Sequence, residues 1–393
     1  MKVLVVFLNG NIFKPKAGNE TRIYHIVRQL CKYNEVITLE SSVYKKEVCN
    51  LPVKARYFVN PIVIKGIRFG TFFAALNPSY ILTLLKVLRK ERPELLHVSY
   101  PFAVFITKAL TKILHKGIVV YEAHDVEVKR SREVILKDPS FSFLKKWISY
   151  VYTYITEKLA CMFADYIITV SREDADYFIK HFSVKKEKIS VISTGTLVMD
   201  LEKYNKTKCR EKLGLSKDSI IIVFHGAYKY YPNAEAIKLI TNYIAPRIHE
   251  KFRDVLFVIA GKDVPKYEKE GIKFLGFVEN LTELLVASDI AIVPILRGGG
   301  TRVKIMDYMS AGLPIVTTKK GIEGIEAENY KHAIIVETVD EELLRALELL
   351  IENDSERKRL GRNARKLAEE KYDWDKIGDE LNKLYKSLNK RRH

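Results

Sequence analysis

Short runs of β-branched and apolar residues alternate with longer stretches of helical periodicity along the whole chain. In the first half the runs are "KVLVVFL", "EVITL", "ELLHV", "GIVVYE" and "DYIITV", with helical patterns between them at residues 21–32 and 101–114. In the second half they are "SIIIVFHG", "VLFVIAG", "IKFLG", "DIAIVPI" and "LPIVTT". Continuous apolar strands alternating with amphipathic helices predict parallel sheets covered by helices on both faces. The pattern restarts near Ser219, after a lysine-rich polar stretch around residues 203–217. This predicts two doubly wound α/β domains with a boundary near residue 200, and two charged amphipathic helices, 354–371 and 374–389, close the chain. The final "NKRRH" reads as frayed.

A chain of 393 residues is long for one core, so the length agrees with two domains. Its four cysteines, Cys31, Cys49, Cys161 and Cys209, lack the close spacing of a zinc site or a disulfide framework, which points to a reducing, cytoplasmic setting. The opening "MKVLVVFLNGN" is too short in its apolar part for a signal peptide and reads as a first strand. The uncharged run 69–85 is broken by Asn77, Pro78 and Ser79, so no membrane span is expected.

The formal charge is +18 and uneven: residues 1–200 carry 31 Lys+Arg against 18 Asp+Glu, residues 201–393 carry 35 against 30. A lysine-rich surface explains this, and so does an anionic partner of the first half, such as an anionic membrane surface or a phosphorylated substrate. No nucleic-acid motif accompanies the charge, and the basic residues are dispersed, so no nucleic acid is expected.

Ligands of parallel α/β sheets bind beyond the carboxyl ends of strands. Three loops there carry chemistry. In "VPILRGGGTRVKIMDYMSAGLPIVTT" an apolar strand runs into Gly298, Gly299 and Gly300, then Thr301 as a helix cap, then Arg302 and Lys304. Glycines let backbone approach a ligand, a helix start favours negative charge, and each cation adds about 1.5–3 kcal/mol as a charge-assisted bond to phosphate. The stretch predicts a diphosphate site; the bland alternative is a glycine-rich turn with solvated cations. In "HGAYKYYPNAEA" Gly226 allows a tight turn, Pro232 suits a first helical turn, and Lys229 can reach the same anion or simply be solvated. In "YEAHDVEVKRSRE" His124 and Asp125 follow a strand, either as a sugar contact or as a structural loop. Asp174 stands three residues after Ser171, a capping spacing, so "DAD" is not read as a metal motif, and no metal is assigned.

Helix 143–163, "FLKKWISYVYTYITEKLACMF", carries two apolar stripes. Leu144, Ile148, Val151, Ile155, Leu159 and Met162 are expected in the core. Phe143, Trp147, Tyr150, Tyr154 and Cys161 form a second stripe, flanked by Lys145 and Lys146. That stripe, with "IKGIRFGTFF" at 64–73, suits either packing within the domain, a dimer contact or a membrane interface.

The ordered set "YEAHD", "ADYIITVS", "FHGAYKYYPNAEA", "IKFLGFVENLTELLVASDIAIVP" and "GGGTRVKIMDYMSAGLPIVTTKKGIEG" resembles the retaining glycosyltransferases of family 4. The resemblance implies the GT-B fold, two Rossmann-like doubly wound domains facing a cleft: 1–200 on the acceptor side, 201–373 on the nucleotide-sugar side, and a helix, 374–393, crossing back to the first domain. It implies transfer from a UDP- or GDP-sugar to a sugar or lipid-linked acceptor, with retention and without a cofactor. Arg302, Lys304 and the glycine-loop backbone, with Thr301, match the donor-diphosphate site, and Lys229 with Gly226 a second contact, without the arginine that often accompanies it. Gly18 matches a first-domain loop near the diphosphate, with Ala17 where a glycine is usual. His124 matches a histidine near the transferred sugar, and Phe277 and Val278 lie where backbone holds the base. Many members carry a glutamate pair eight positions apart; here those positions are Gly299 and Asp307, and Asp307 has the shorter reach to ribose hydroxyls. A GT-B-like epimerase or phosphorylase, or a non-catalytic basic nucleic-acid- or membrane-binding protein, are the competing readings.

Overall fold

The computed structural model describes residues 1–64, 67–69, 72–136, 142–298 and 301–390. The chain divides into two compact units, Met1–Thr194 with Trp374–His393, and Gly195–Asp373.

The first unit contains β1 (Lys2–Phe7), β2 (Glu35–Ser41), β3 (Ala55–Val59), a short antiparallel pair β4 (Ile62–Ile64) and β5 (Ile67–Phe69), β6 (Leu95–Ser99), β7 (Ile118–Ala123), β8 (Tyr166–Thr169) and β9 (Ile189–Val191). Its main sheet has the order β3-β2-β1-β6-β7-β8-β9 and is parallel throughout. Alternation along β1 feeds two cores: Leu4 and Val6 pack on one face, and Val3, Val5 and Phe7 on the other. Into the second core the closing helix, Trp374–Lys390, inserts Trp374, Ile377, Leu381, Tyr385 and Leu388. Their three- and four-residue spacing makes one apolar stripe. The stripe lies beside Ile23 and Val27 of helix Gly18–Leu30.

The second unit contains β10 (Ile220–His225), β11 (Val255–Ala260), β12 (Lys266–Lys269), β13 (Ile272–Gly276), β14 (Ile290–Val293), β15 (Ile315–Thr318) and β16 (Ile334–Val336). The order is β12-β13-β11-β10-β14-β15-β16, parallel except for the edge strand β12. In both sheets the first strand is central and the order reverses beside it: between β1 and β6, and between β10 and β14. Such a switch point splays the following loops apart and opens a crevice at the carboxyl ends.

Helix Phe143–Phe163 departs from its expected packing. Leu144, Ile148, Val151, Ile155 and Met162 are exposed, as are Phe143, Trp147 and Tyr154. The face turned inward carries Thr153, Glu157, Ala160 and Cys161. The small residues on that side allow close approach to helix Val104–Leu114, and Glu157 accepts from the Glu127 and Val128 amides at 2.9 and 2.8 Å, so packing there outweighs the larger apolar stripe. Residues 65, 66, 70 and 71 of the "IKGIRFGTFF" stretch, and 391–393 of the tail, lie outside the described residues. Among the described residues no helix is long and apolar enough to cross a membrane.

Candidate active site

The switch point of the second unit is built by the loops after β10 and β14. From β10 the chain passes His225 and Gly226 into helix Tyr231–Leu239, with Pro232 in its first turn. From β14 it passes Gly298, Thr301 and Arg302 into helix Val303–Ser310. Asn233 ties the two loops together. Its Nδ2 donates to the Ala227 carbonyl at 2.9 Å, and its Oδ1 accepts from Lys304 Nζ at 2.8 Å. The Lys304 amine also lies 3.9 Å from the centre of the Phe224 ring. Burial, and then the neighbouring Arg302 charge, push the lysine well below its ordinary range. A Cβ on Gly226 would stand 2.8 Å from that amine and 2.7 Å from Asn233 Nδ2. Gly226 is therefore glycine because the lysine and the asparagine fill the space beside it.

Arg302 is buried, and its Nη2 donates to the Gly298 carbonyl at 3.0 Å. Gly298 has φ +110, a conformation that favours glycine, and Tyr230 Oη and Arg302 Nη2 stand about where a Cβ would meet them, at 3.2 and 3.3 Å. Arg302, not Thr301, occupies the cap position of the following helix, and it makes no side-chain cap bond. Thr301 stays outside the helix, and its hydroxyl has no hydrogen-bond partner among the described residues. Gly299 and Gly300 lie outside the described residues.

Asp307 sits one helical turn beyond Lys304. Its Oδ1 accepts from Thr196 Oγ1 at 3.3 Å, and its Oδ2 is 3.7 Å from His225 Nε2. Burial pushes the Asp307 carboxyl up to about 7, with the Thr196 bond and the Lys304 charge opposing it. Burial and the Lys304 charge hold His225 down to about 3, so its imidazole is neutral. Tyr308 donates no bond to that ring; its hydroxyl accepts from the His225 amide at 2.8 Å while the rings meet edge to face.

The other expected second-unit residues are more open. Lys229 is exposed, and its amine is 3.7 Å from Asp263. Phe277, just past β13, is exposed, and Val278 packs against the core. Gly261, after β11, was not singled out by the sequence reading. Its φ is +144, and a Cβ there would lie 2.1 Å from the Gly226 carbonyl oxygen. The two backbones pack directly on each other.

In the first unit Gly18 is the first residue of helix Gly18–Leu30, after Ala17. The preceding loop is pinned by Glu20, whose carboxylate accepts from the Asn11 amide at 2.9 Å and the Lys16 amide at 2.6 Å. His124 follows β7 and is buried. Its ring stacks on Tyr100, with centroids 4.8 Å apart and planes 17° apart. Tyr100, just past β6, has φ 68, rare for any residue but glycine and typical of positions held by their surroundings. Asn19 Nδ2 donates to its hydroxyl at 2.8 Å.

Beneath His124 lies a buried polar network that sequence reasoning missed. Glu122 is wholly buried and accepts from Arg22 Nε at 2.9 Å, His97 Nε2 at 2.7 Å and Ser99 Oγ at 2.9 Å. His124 Nε2 is 3.3 Å from Glu122 Oε2. Burial acts to raise the Glu122 carboxyl, but His97, His124 and Arg22 outweigh it and hold it well below the usual carboxylate range. Arg22 also donates to Thr194 Oγ1 and the Ile192 carbonyl, at 3.1 and 2.9 Å. On the far side of His97, Nδ1 meets the hydroxyl of Tyr385 on the closing helix. The available signal was a glutamate inside an apolar strand, since a carboxylate is seldom fully buried without partners.

The "DAD" segment behaves as its spacing implies. Ser171 caps helix Arg172–Phe182 and accepts from the Asp174 amide at 3.1 Å. Asp375 accepts from Gln29 and Lys32, at 2.6 and 2.9 Å.

Comparison with known proteins adds to this geometry. Residues 17–196 match the family described as Glycosyltransferase Family 4, and residues 219–353 the family described as Glycosyl transferases group 1. An uncharacterised glycosyltransferase of Methanocaldococcus jannaschii is 28% identical over 259 residues, 63% of this chain and 64% of that protein, so the chain spans less than two thirds of this relative. Among solved structures, sucrose-phosphate synthase from Thermosynechococcus elongatus has TM-score 0.77 at 14% identity, covering 98% of both chains. Anabaena HepE in complex with UDP has TM-score 0.70 at 16% identity, covering 98% of this chain and all of the other, and it has also been solved with UDP-glucose. A glycosyltransferase family model thus matches a part of each unit, and the chain, with a reversed-order parallel sheet in each unit, has the GT-B fold.

Proposed function

We propose that the chain moves a glycosyl unit from a nucleotide-diphosphate sugar to an acceptor hydroxyl, with retention of anomeric configuration and without a metal ion. The carrying observation is the pair Arg302 and Lys304 at the switch point, both buried, with the Lys304 charge disfavoured by its burial and by Arg302. An anion placed against them relieves both effects, and a diphosphate matches two cations beside a glycine turn and a helix start. The complexes of HepE with UDP and UDP-glucose support a nucleotide sugar as the donor, read here as a UDP-sugar or its GDP counterpart. On this reading the second unit holds the donor. Arg302, Lys304, Thr301 and the backbone of residues 298–300 take the diphosphate, with Gly226 giving room and the exposed Lys229 an outer cation. Asp307 takes a ribose hydroxyl, Phe277 and Val278 the base. The first unit takes the acceptor, with His124 and Gly18 as its site residues.

The chemistry needs few protein groups. As the glycosyl–phosphate bond breaks toward an oxocarbenium-like state, negative charge grows on the leaving diphosphate. Fixed cations aimed at that charge stabilise the transition state more than the ground state. The acceptor hydroxyl attacks from the face the leaving group departs, so configuration is kept, and no protein nucleophile takes part.

The acceptor on this reading is lipid-linked. Phe143, Leu144, Trp147, Ile148, Val151 and Ile155 form an exposed apolar face on helix Phe143–Phe163, with Lys145 and Lys146 beside it. Apolar and aromatic side chains next to lysines suit an anionic bilayer surface, where each cation contributes about 1 kcal/mol. On this reading the protein works against an anionic membrane surface, the cytoplasmic leaflet.

The test is a thermal-shift screen over UDP-, GDP- and ADP-sugars, followed by assay of nucleoside diphosphate release. A ligand at 100 times its dissociation constant stabilises by about 2.7 kcal/mol. One nucleotide class should raise the melting temperature, and release should need an acceptor and persist in EDTA. No shift with any nucleotide sugar overturns the donor site, and acceptor-independent conversion of the sugar favours an epimerase.

A further inference from the structure

We propose that Glu122 is the positioning residue for His124, and that Tyr385 on the closing helix sets Glu122 through His97. The inference rests on the reading above only in making His124 a site residue. Glu122 is an ionised carboxylate and can only accept hydrogen bonds. His97 Nε2, 2.7 Å away, therefore carries a proton, and in the neutral ring Nδ1 is the acceptor and the Tyr385 hydroxyl its donor. Tyr385 donates to His97, and His97 donates to Glu122.

The same carboxylate oxygen, Oε2, faces His124 Nε2 at 3.3 Å. The contact is within ion-pair range without hydrogen-bond alignment, and a negative carboxylate on that edge favours the proton on Nε2 and leaves Nδ1 as an acceptor. The face of the ring is set separately, by the stack on Tyr100 and the tilted contact with Phe7 at 6.3 Å. Tyr100 keeps a costly backbone conformation to lie there. Edge and face together fix the imidazole in one orientation and one tautomer. His124 Nδ1 is then a buried acceptor without a hydrogen-bond partner among the described residues, and a sugar hydroxyl that reached the ring would donate to it.

The groups around Glu122 come from every element packed on it: Arg22 from helix Gly18–Leu30, His97 and Ser99 from β6, and His124 from the loop after β7. Arg22 supplies the balancing charge and is anchored independently on Ile192 and Thr194. The remaining freedom of the carboxylate is therefore controlled by His97, and that of His97 by Tyr385. A helix more than 250 residues distant in sequence thus reaches the histidine through two side chains.

Glu122→Gln leaves the Arg22 guanidinium buried beside a neutral amide, so the deciding variant is Tyr385→Phe, which removes one hydroxyl and keeps the ring in the core. Two readouts on the full chain separate positioning from simple stability. The first is long-range proton–nitrogen correlation of the histidine rings, with His124 assigned by its loss in His124→Ala. The wild type should show His124 as a single Nε2–H tautomer, and Tyr385→Phe and Glu122→Gln should give a mixture. The second is a double-mutant cycle with the donor found by the nucleotide screen. Tyr385→Phe should lower kcat about tenfold with donor KM unchanged, and should have no further effect in the His124→Ala background. Unchanged ring signals in both variants, an Nδ1–H tautomer in the wild type, or losses that add in the double variant overturn the proposal. If no nucleotide sugar is turned over, the proposed function fails, and the ring signals alone still decide the positioning.

Discussion

The amine of Lys304 donates to the side-chain oxygen of Asn233 at 2.8 Å, joining the first turn of the helix after β14 to the first turn of the helix after β10. The bond fixes a cation at the switch point and holds it where burial opposes its charge. Lys304→Met keeps the packing on Phe224 and removes the charge. Arg302→Ala removes the second cation. Each should lower turnover at subsaturating donor on the order of 10²-fold, as loss of one transition-state donor does. Because burial of the lysine charge is a cost without an anion, Lys304→Met should melt at or above the wild-type temperature in nucleotide-free buffer. Wild-type kinetics in both variants would remove the diphosphate assignment.

Gly226→Ala tests the same amine from the other side. The new methyl would stand 2.8 Å from Lys304 Nζ and 2.7 Å from Asn233 Nδ2, closer than real side chains approach. The flexible lysine yields first. Donor affinity should fall toward that of Lys304→Met, with a stability loss of about 1–3 kcal/mol from overpacking. Isothermal titration with the nucleoside diphosphate measures the first and denaturant unfolding the second. An unaltered dissociation constant would show that the amine does not meet the ligand.

Asp307 gives a pH dependence with a definite sign. Its carboxyl titrates near 7 in the folded chain and near 3.8 unfolded. The folded state therefore binds the extra proton between those values, and stability falls as pH rises through that window, by about 1.4 kcal/mol for each pH unit at most. Asp307→Asn cannot ionise, so its melting temperature should match the wild type near pH 4 and exceed it at pH 8. Nucleotide affinity should show the opposite preference, because an ionised carboxylate is a stronger acceptor for a ribose hydroxyl than a neutral acid or amide. It should strengthen in the wild type through pH 7 and stay flat and weaker in Asp307→Asn. Calorimetric melting and nucleotide titration at pH 4, 6 and 8 give both curves; parallel melting curves for the two proteins would contradict the carboxyl's place in the site.

The exposed face of helix Phe143–Phe163 should carry the chain to anionic vesicles. Co-sedimentation should need phosphatidylglycerol or phosphatidylserine, weaken with salt, and weaken several-fold more on Lys145→Glu with Lys146→Glu. Trp147→Ser should weaken it without changing the salt slope. Recovery in the supernatant at low salt would end the membrane reading, and a concentration-dependent dimer lost in Trp147→Ser would assign the face to a second copy.

Much of this molecule is written in local pattern. Apolar runs such as Ile220–Phe224 have to be strands buried on both faces, and the glycines that follow strands mark where backbone turns at a crevice; both depend only on neighbours in sequence. The loops bearing Gly226, Gly298, Arg302, Lys304 and His124 were legible for that reason. Strand β12, "KYEK", was not, because it is a fully exposed edge that exists only through its pairing with β13. Tertiary packing also decided what those loop residues touch. The burial of Lys304 depends on Asn233, 71 positions away, and the Glu122 network joins residues separated by 100 and 288 positions. No sequence period links such partners, since the sheet order alone brings them together. Helix Phe143–Phe163 shows the same limit from the other side. Its hydrophobic period marks a helix, but which face turns inward was set by small residues and one buried glutamate, leaving the larger side chains outside.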